Sequence, residues 1–145
     1  MTIAVDFDGT IVEHKYPEIG REIPGAIETL KRLAADGNKL ILWSVREGEL
    51  LEQAVNYCRE RGLEFYAANE HYTDEVNPEN NGYTTACRKL LANVYIDDRN
   101  VGGFPGWEAI YTMVTNRQTF TRYYSDLQMP VVRKKKKGWL ERIFG

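Results

Sequence analysis

Apolar segments of strand length alternate along this chain with segments whose apolar residues recur at helical spacing. The pattern predicts strands over residues 2–7, 39–44, 63–67 and 93–97, and helices over residues 26–34, 48–61, 85–91 and 106–114. A strand followed by a helix and then another strand builds a parallel sheet with helices packed on its faces. The sequence therefore predicts an α/β domain of the Rossmann-like, three-layer α/β/α type with a mainly parallel sheet.

Charge divides the chain into one acidic domain and a short basic tail. Its 145 residues suit one domain of ordinary size. Residues 1–132 carry 13 Lys and Arg against 20 Asp and Glu, a net charge of −7, whereas residues 133–145 carry a net charge of +5. Because binding to nucleic acid needs a basic surface, the acidic domain indicates that nucleic acid is not a partner.

The basic tail, residues 133–145, also contains apolar residues at helical spacing: Trp139, Leu140, Ile143 and Phe144. A basic amphipathic segment is typical of weak contact with a membrane surface or of docking to a partner. The alternative is a solvated tail whose aromatic residues pack on the domain or on a second subunit, so an oligomer stays open. Liposome co-sedimentation with and without residues 133–145 distinguishes the two.

Cysteine content and the N-terminus predict the compartment. Cys58 and Cys87 are 29 positions apart, which is neither a CxxC pair nor a disulfide framework. The N-terminal sequence has no basic segment followed by a long apolar stretch, so no signal peptide is expected. The longest apolar runs are far too short to span a membrane. These features predict a cytoplasmic protein.

Polar residues follow the ends of the predicted strands, where ligands bind in parallel sheets. Asp6-Phe7-Asp8-Gly9-Thr10 follows the first strand, Ser44 ends the second, and Asp97-Asp98 ends the fourth, with Lys89 eight positions before Asp97. Carboxylates on an apolar strand end are costly to bury unpaired, and a hard divalent cation relieves that cost. The simpler alternatives are an Asp-Gly turn at residues 6–10 and a helix cap at Ser44.

In this order the motifs resemble those of the haloacid dehalogenase-like phosphohydrolase superfamily. DFDGT is similar to its first motif, LILWS to its second, Lys89 stands where its basic third motif is expected, and YIDD is similar to its fourth. The first and fourth motifs are specific, whereas the second and third are weak alone. The resemblance spans roughly residues 1–116.

The resemblance implies a role for each matched residue. Asp6 matches the nucleophile that forms an aspartyl-phosphate, and Asp8 matches the general acid and base. Ser44 and Lys89 match the groups that hold the transferring phosphoryl group. The ligands of Mg²⁺ are matched by Asp6, the Asp8 carbonyl, Asp97 and Asp98. The resemblance does not decide which of Asp97 and Asp98 contacts the metal directly. For its acid role, Asp8 must be protonated near neutral pH, which burial near other acids would permit.

The intervals between the motifs, and the positions of three polar residues, indicate how a substrate would bind. There is no room for a folded cap domain in the interval from Thr10 to Leu40 or in the interval from Ser44 to Lys89. A capless member of the superfamily with an open site is therefore expected. Thr10, Arg46 and Asn69 are predicted contacts to a small phosphorylated substrate. The polar segment 69–84 is predicted to be a loop that partly covers the site.

The leading hypothesis is an Mg²⁺-dependent phosphohydrolase. A phosphotransferase acting on a sugar or nucleotide is an alternative, because an aspartyl-phosphate can be passed to acceptors other than water. A non-catalytic binding module of the same fold is a second alternative. A receiver-type phospho-acceptor domain is disfavoured, because its adjacent acids come at the first strand and its acceptor Asp later.

Overall fold

Four parallel strands form the sheet in the computed structural model, which describes residues 1–71 and 88–128. The strands are β1 (Thr2–Val5), β2 (Lys39–Leu42), β3 (Ala67–Ala68) and β4 (Val94–Ile96). Their spatial order is β3-β2-β1-β4, so β1 lies between β2 and β4. In the register, Val5 is the partner of both Leu42 and Ile96. The predicted fold class, a Rossmann-like α/β domain with a parallel sheet, is confirmed.

Three helices cover one face of this sheet. They are α1 (Ala26–Ala35), α2 (Gly48–Arg59) and α3 (Trp107–Thr115). Their buried residues recur at helical spacing, as predicted, and pack against the strand residues that point to this face, which include Ile3, Val5, Leu42 and Ile96. Each fully buried Leu or Ile here contributes about 1.5–3 kcal/mol. This core holds the strand ends rigidly.

The opposite face of the sheet is covered by a smaller apolar cluster. Ala4 and Ile41 point to this face and pack with Leu90. The rings of Trp43 and Tyr95 lie beside them, 5.4 Å apart between centroids. A helix was predicted over residues 85–91, but residues 88–91 are not helical, and the rest of that prediction lies outside the described residues. Residues 88–91 are instead irregular, and Leu90 packs in the cluster.

Two further segments differ from the sequence prediction. The third strand was expected over residues 63–67, but pairing with β2 is confined to Ala67–Ala68. The N–H of Leu63 still donates to the carbonyl of Cys58 at the end of α2, so the chain reaches β2 only near Tyr66. A fourth helix, α4 (Phe120–Gln128), was not predicted, because its sequence is mostly polar.

No cap is inserted between Asp8 and Ser44: this interval holds a hairpin-like loop over residues 12–22, α1 and β2. The second interval, from Ser44 to Lys89, lies partly outside the described residues. Within the described residues, no helix is long and apolar enough to cross a membrane. The basic tail, residues 133–145, Cys87, and most of the predicted loop 69–84 lie outside the described residues.

Candidate functional site

Three aspartates meet at the carboxyl ends of two neighbouring strands. The backbone N–H of Asp6 donates to the carbonyl of Ile96 over 2.9 Å, which extends the pairing of β1 and β4 to their ends. As a result, one oxygen from each of Asp6, Asp97 and Asp98 lies within 4.8 Å of the other two. Opposite ligands of an octahedral Mg²⁺ are about 4 Å apart, and Mg²⁺ takes oxygen ligands, so this donor set fits such a cation after small adjustments.

Thr10 joins two of these acids. Its hydroxyl donates to Asp6 Oδ2 over 3.0 Å and accepts a hydrogen bond from the backbone N–H of Asp98, also over 3.0 Å. The side chain of Thr10 is completely buried. Thr10 was predicted to contact substrate, but its hydroxyl is used inside the protein. It orients the Asp6 carboxylate and ties the loop after β1 to the loop after β4.

Asp97 is oriented by the turn that follows it. The backbone N–H of Arg99 donates to Asp97 Oδ1 over 2.8 Å, and the Asn100 side-chain amide donates to the Asp97 carbonyl over 2.6 Å. The bond from the Arg99 N–H forms an Asx-type turn, which holds Asp97 in place without a metal ion. In this arrangement one oxygen of Asp97 lies within 4.8 Å of an oxygen of Asp6 and of an oxygen of Asp98.

Burial raises the pKa of Asp6 to about 6. Loss of water around the carboxylate is the largest cause; hydrogen bonds from the Phe7 backbone and the Thr10 hydroxyl oppose it, and the charges of Asp97 and Asp98 add to it. A carboxylate held in this way is destabilised in its charged form, which a nearby cation would relieve.

Asp8 lies in a different environment from the other acids. Arg46 Nε donates to Asp8 Oδ2 over 2.7 Å, and Arg46 Nη2 donates to Asp8 Oδ1 over 2.8 Å. Arg46 is fully buried and Asp8 is 4% exposed. Asp8 is buried, as expected, but both oxygens of its carboxylate face a guanidinium group, which was not predicted from the sequence.

The hairpin-like loop 12–22 completes the surroundings of Arg46. The guanidinium donates to the carbonyls of Pro17 and Glu18, each over 2.9 Å. It also lies 5.2 Å from the ring centroid of Phe7 and 5.3 Å from that of Tyr16. Arg46 was predicted to contact substrate, but in this structure it is enclosed by protein and bonded to it. Its role is to join the loop after β2 to the loop after β1.

Asn69 fixes the loop that carries Ser44. Its side-chain amide donates to the carbonyls of Ser44 and Arg46 over 2.9 and 3.0 Å, and its side-chain oxygen accepts the N–H of Ser44 over 2.8 Å. Asn69 was predicted to contact substrate, but these bonds use both N–H groups of its amide and one lone pair of its oxygen. Ser44 Oγ accepts the N–H of Arg46 over 3.2 Å, so its own proton can be donated elsewhere.

Lys89 lies on the face of the sheet that carries Tyr95. Its Nζ is 5.5 Å from the Tyr95 ring centroid, and within the described part of the chain no ion pair joins it to an aspartate. The Tyr95 hydroxyl donates to the Leu90 carbonyl, which fixes the segment that follows Lys89. A role for Lys89 in holding phosphate stays a prediction.

Sequence reasoning thus found the residues of the acidic cluster but missed what supports it. The Asp8–Arg46 pair, the Thr10 bridge and the Asn69 amide bonds all join loops that are distant in sequence. One signal was available for Arg46, since it follows a strand end and shares the carboxyl edge of the sheet with Asp8. No sequence signal distinguished Asn69 from other polar loop residues.

Fold and site together define a class: a Rossmann-like α/β protein with a carboxylate cluster at its strand ends that could bind a metal ion. The chain belongs to the same family as a conserved protein from Bacteroides thetaiotaomicron. The solved structure of that protein matches with a TM-score of 0.75 and 58% sequence identity, covering 86% of this chain and 97% of that chain. No protein-family model matches the chain, and no curated protein matches it.

Proposed function

We propose that this protein is an Mg²⁺-dependent phosphohydrolase of the haloacid dehalogenase-like type, which acts on a small phosphorylated substrate through an aspartyl-phosphate on Asp6. The observation that carries the proposal is the meeting of Asp6, Asp97 and Asp98 within 4.8 Å at the carboxyl edge of the sheet. Asp6 comes from the first motif of that superfamily's pattern and Asp97 and Asp98 come from the fourth, and the two motifs follow adjacent strands here.

The first step is attack by a carboxylate oxygen of Asp6 on phosphorus. A bond forms between that oxygen and phosphorus, and the bond from phosphorus to the leaving oxygen breaks, with the electron pair departing on the leaving group. Thr10 orients the carboxylate for attack through its bond to Oδ2. A cation bound by Asp6, Asp97 and Asp98 would reduce the repulsion between the carboxylate and the phosphate.

The second step is attack by water on the phosphorus of the aspartyl-phosphate. Water loses a proton, the bond from phosphorus to the Asp6 oxygen breaks, and the Asp6 carboxylate is regenerated. Asp8, two residues away, is the proposed proton acceptor. Ser44 and Lys89 would hold the phosphoryl oxygens, Ser44 through a hydroxyl proton that its bond from the Arg46 N–H leaves available.

The test is release of inorganic phosphate from a panel of phosphorylated metabolites, with Mg²⁺ and with EDTA. Wild type is expected to release phosphate only with Mg²⁺, and Asp6→Asn is expected to lose at least about 10⁴-fold of that rate. Asp36→Asn, the same chemical change at an exposed residue bonded to Tyr111, is the matched control and should keep full activity. An Asp6→Asn variant as active as wild type would end the proposal.

One observation favours a second candidate, a non-catalytic binding module: both oxygens of Asp8, the proposed proton acceptor, are bonded to Arg46. The same panel separates the two candidates. A module binds Mg²⁺ and phosphorylated ligands, as isothermal titration would detect, but turns over none of them.

Two broader proposals concern the setting rather than the chemistry. The buried free thiol of Cys58 supports a reducing, cytoplasmic location. The net charge of +5 over residues 133–145 supports weak contact with an anionic membrane surface or an acidic partner. Equal partition onto anionic liposomes with and without residues 133–145 would remove the membrane proposal.

A further inference from the structure

Arg99 and His14 connect the loop after β4 to the loop after β1 at the carboxyl edge of the sheet. Arg99 Nη2 lies 3.3 Å from His14 Nε2, and both side chains are exposed. A guanidinium can only donate hydrogen bonds, so His14 Nε2 is the acceptor in this contact. The contact holds one end of the Arg99 guanidinium and, among the described residues, leaves its other N–H groups without an acceptor.

The backbones of the two loops keep this contact beside the acidic cluster. The N–H of Arg99 donates to Asp97 Oδ1 over 2.8 Å, so Arg99 follows directly on the acids that end β4. The N–H of Gly9 donates to the carbonyl of Val12 over 2.7 Å, which turns the chain after β1 toward His14. The Arg99–His14 contact therefore spans the two loops that also carry the three aspartates.

Arg99 has no acidic partner within the part of the chain that the structure describes. No ion pair joins it to Asp97 or Asp98, and the acid next to His14 in sequence, Glu13, pairs instead with Arg21 over 3.0 Å. A guanidinium presents parallel N–H groups that match the paired oxygens of a carboxylate or a phosphate. An exposed guanidinium without an acidic partner, held in one place beside the site, is thus available to an anion from outside the protein.

We propose that Arg99, positioned by His14, binds a second anionic oxygen group of the substrate, either a carboxylate or a second phosphate. The proposal rests on the proposed function and narrows the substrate to phosphorylated acids and bisphosphates. The phosphoryl group that is transferred would be held by Ser44 and Lys89, so Arg99 contacts a different part of the molecule. No covalent bond changes at Arg99, which contributes to binding alone.

The experiment uses phosphate esters of two lengths, with Mg²⁺ in excess. The short set is phosphoglycolate, ethylene glycol bisphosphate and the amide of phosphoglycolate; the long set is para-carboxyphenyl phosphate, hydroquinone bisphosphate and para-carbamoylphenyl phosphate. In each set only the amide lacks a second anionic group. In one set or both, wild type should cleave an anionic ester with a kcat/KM, counted per phosphate, about tenfold or more above that of the amide. The favoured ester shows whether the second group is a carboxylate or a phosphate.

Arg99→Gln removes the guanidinium, and Arg122→Gln is the matched control. The Arg99 variant should bring the ratio of anionic to amide cleavage close to one, whereas Arg99→Lys, which keeps the charge but not the planar fork, should retain part of it. Arg122 is exposed on α4 and pairs with Asp126 over 3.9 Å, so its variant should keep the wild-type ratio. Thermal unfolding shows whether Arg99→Gln is folded. If it is not, the fall of the wild-type ratio with added NaCl decides, because salt screens an exposed ionic contact.

The positioning role of His14 has its own pair of variants. His14→Ala removes the acceptor of the Arg99 N–H and should lower the ratio, whereas His14→Gln keeps an acceptor and should preserve more of it. Equal ratios in the two variants would overturn the role of His14.

The outcomes separate this proposal from the proposed function. Equal kcat/KM values for the anionic esters and the amides in both sets would overturn the proposal and leave the phosphohydrolase standing. A preference that persists unchanged in folded Arg99→Gln would overturn the role of Arg99. If no ester is cleaved, the proposed function fails, and isothermal titration of the same esters decides the proposal. Tighter binding of the anionic esters that is lost in Arg99→Gln would support it, and equal binding of anionic esters and amides would overturn it.

Discussion

A β-carbon on residue 9 would lie 2.5 Å from Asp98 Oδ2, so Gly9 and Asp98 pack more closely than any other residue at position 9 would allow. The φ angle of Gly9 is +92°, a backbone conformation that residues other than glycine rarely adopt. The Asp-Gly step of the first motif therefore has two functions: it makes the turn after β1, and it leaves room for a carboxylate from the loop after β4.

Gly9→Ala is expected to displace the Asp98 carboxylate and to weaken Mg²⁺ binding, with a loss of about 1–3 kcal/mol in the free energy of unfolding. Gly37→Ala is the matched control, because Gly37 has a φ of +85° but no atom within 4 Å of the added carbon. Both variants carry backbone strain, but only in Gly9→Ala does the added β-carbon clash with the Asp98 side chain. Isothermal titration with Mg²⁺ measures the difference; equal affinities in the two variants would contradict the prediction.

Asp6→Asn should stabilise the metal-free protein above pH 6. The pKa of Asp6 is raised from 3.8 to about 6, so its contribution to folding is fully present below pH 3.8 and is lost as the pH rises through 6. Asparagine does not titrate, so the variant avoids this loss, which is on the order of 1–2 kcal/mol after solvent screening.

The measurement for Asp6→Asn is urea unfolding in EDTA at pH 4 and pH 7.5, with Asp36→Asn alongside. The gain in stability should appear at pH 7.5 and be nearly absent at pH 4. A gain that is equal at the two pH values would show that burial of the Asp6 charge is not its source.

Thr10→Val should weaken the link between the loops after β1 and β4. Valine keeps the shape of threonine but leaves the N–H of Asp98 without its acceptor, at a cost of about 1–3 kcal/mol in the free energy of unfolding. Thr10→Ser keeps the hydroxyl and loses only a buried methyl group, so it should bind Mg²⁺ like wild type. Calorimetric titration of both variants checks this, and Mg²⁺ affinity retained by the valine variant would refute the bridging role.

Asn69 allows backbone strain to be separated from hydrogen bonding. Its φ is +54°, and both Asn69→Gly and Asn69→Ala remove its three bonds to residues 44–46. Glycine accepts the positive φ, so Asn69→Gly should be about 1 kcal/mol more stable than Asn69→Ala. Thermal unfolding gives this difference, and both variants should release phosphate more slowly because Ser44 is no longer fixed. Equal stability of the two variants would mean that the backbone at residue 69 has relaxed.

The strands and helices with strong periodicity were predictable, and so were the acids. The apolar segments at residues 2–7 and 93–97 placed Asp6, Asp97 and Asp98 at strand ends, and a parallel sheet brings those ends to the same edge. That the two strands are neighbours was learned from the structure. The segment at residues 63–67 has an apolar pattern too, but the bond from Leu63 to Cys58 delays its pairing. The partners of Thr10, Arg46 and Asn69 were not predictable, because each depends on how loops from different strand ends approach one another.

The order of the strands has a consequence for the energetics of cation binding. Thr10 and Asp98 are 88 residues apart in sequence, yet the hydrogen bond between them lies beside the acidic cluster. An ion shared by Asp6 and the acids after β4 would thus link two parts of the chain that are far apart in sequence. Its binding would offset much of the entropic cost of bringing those parts together. Amide hydrogen exchange along β1 and β4 should then slow together when the ion is bound, since parting the two strands would require its release.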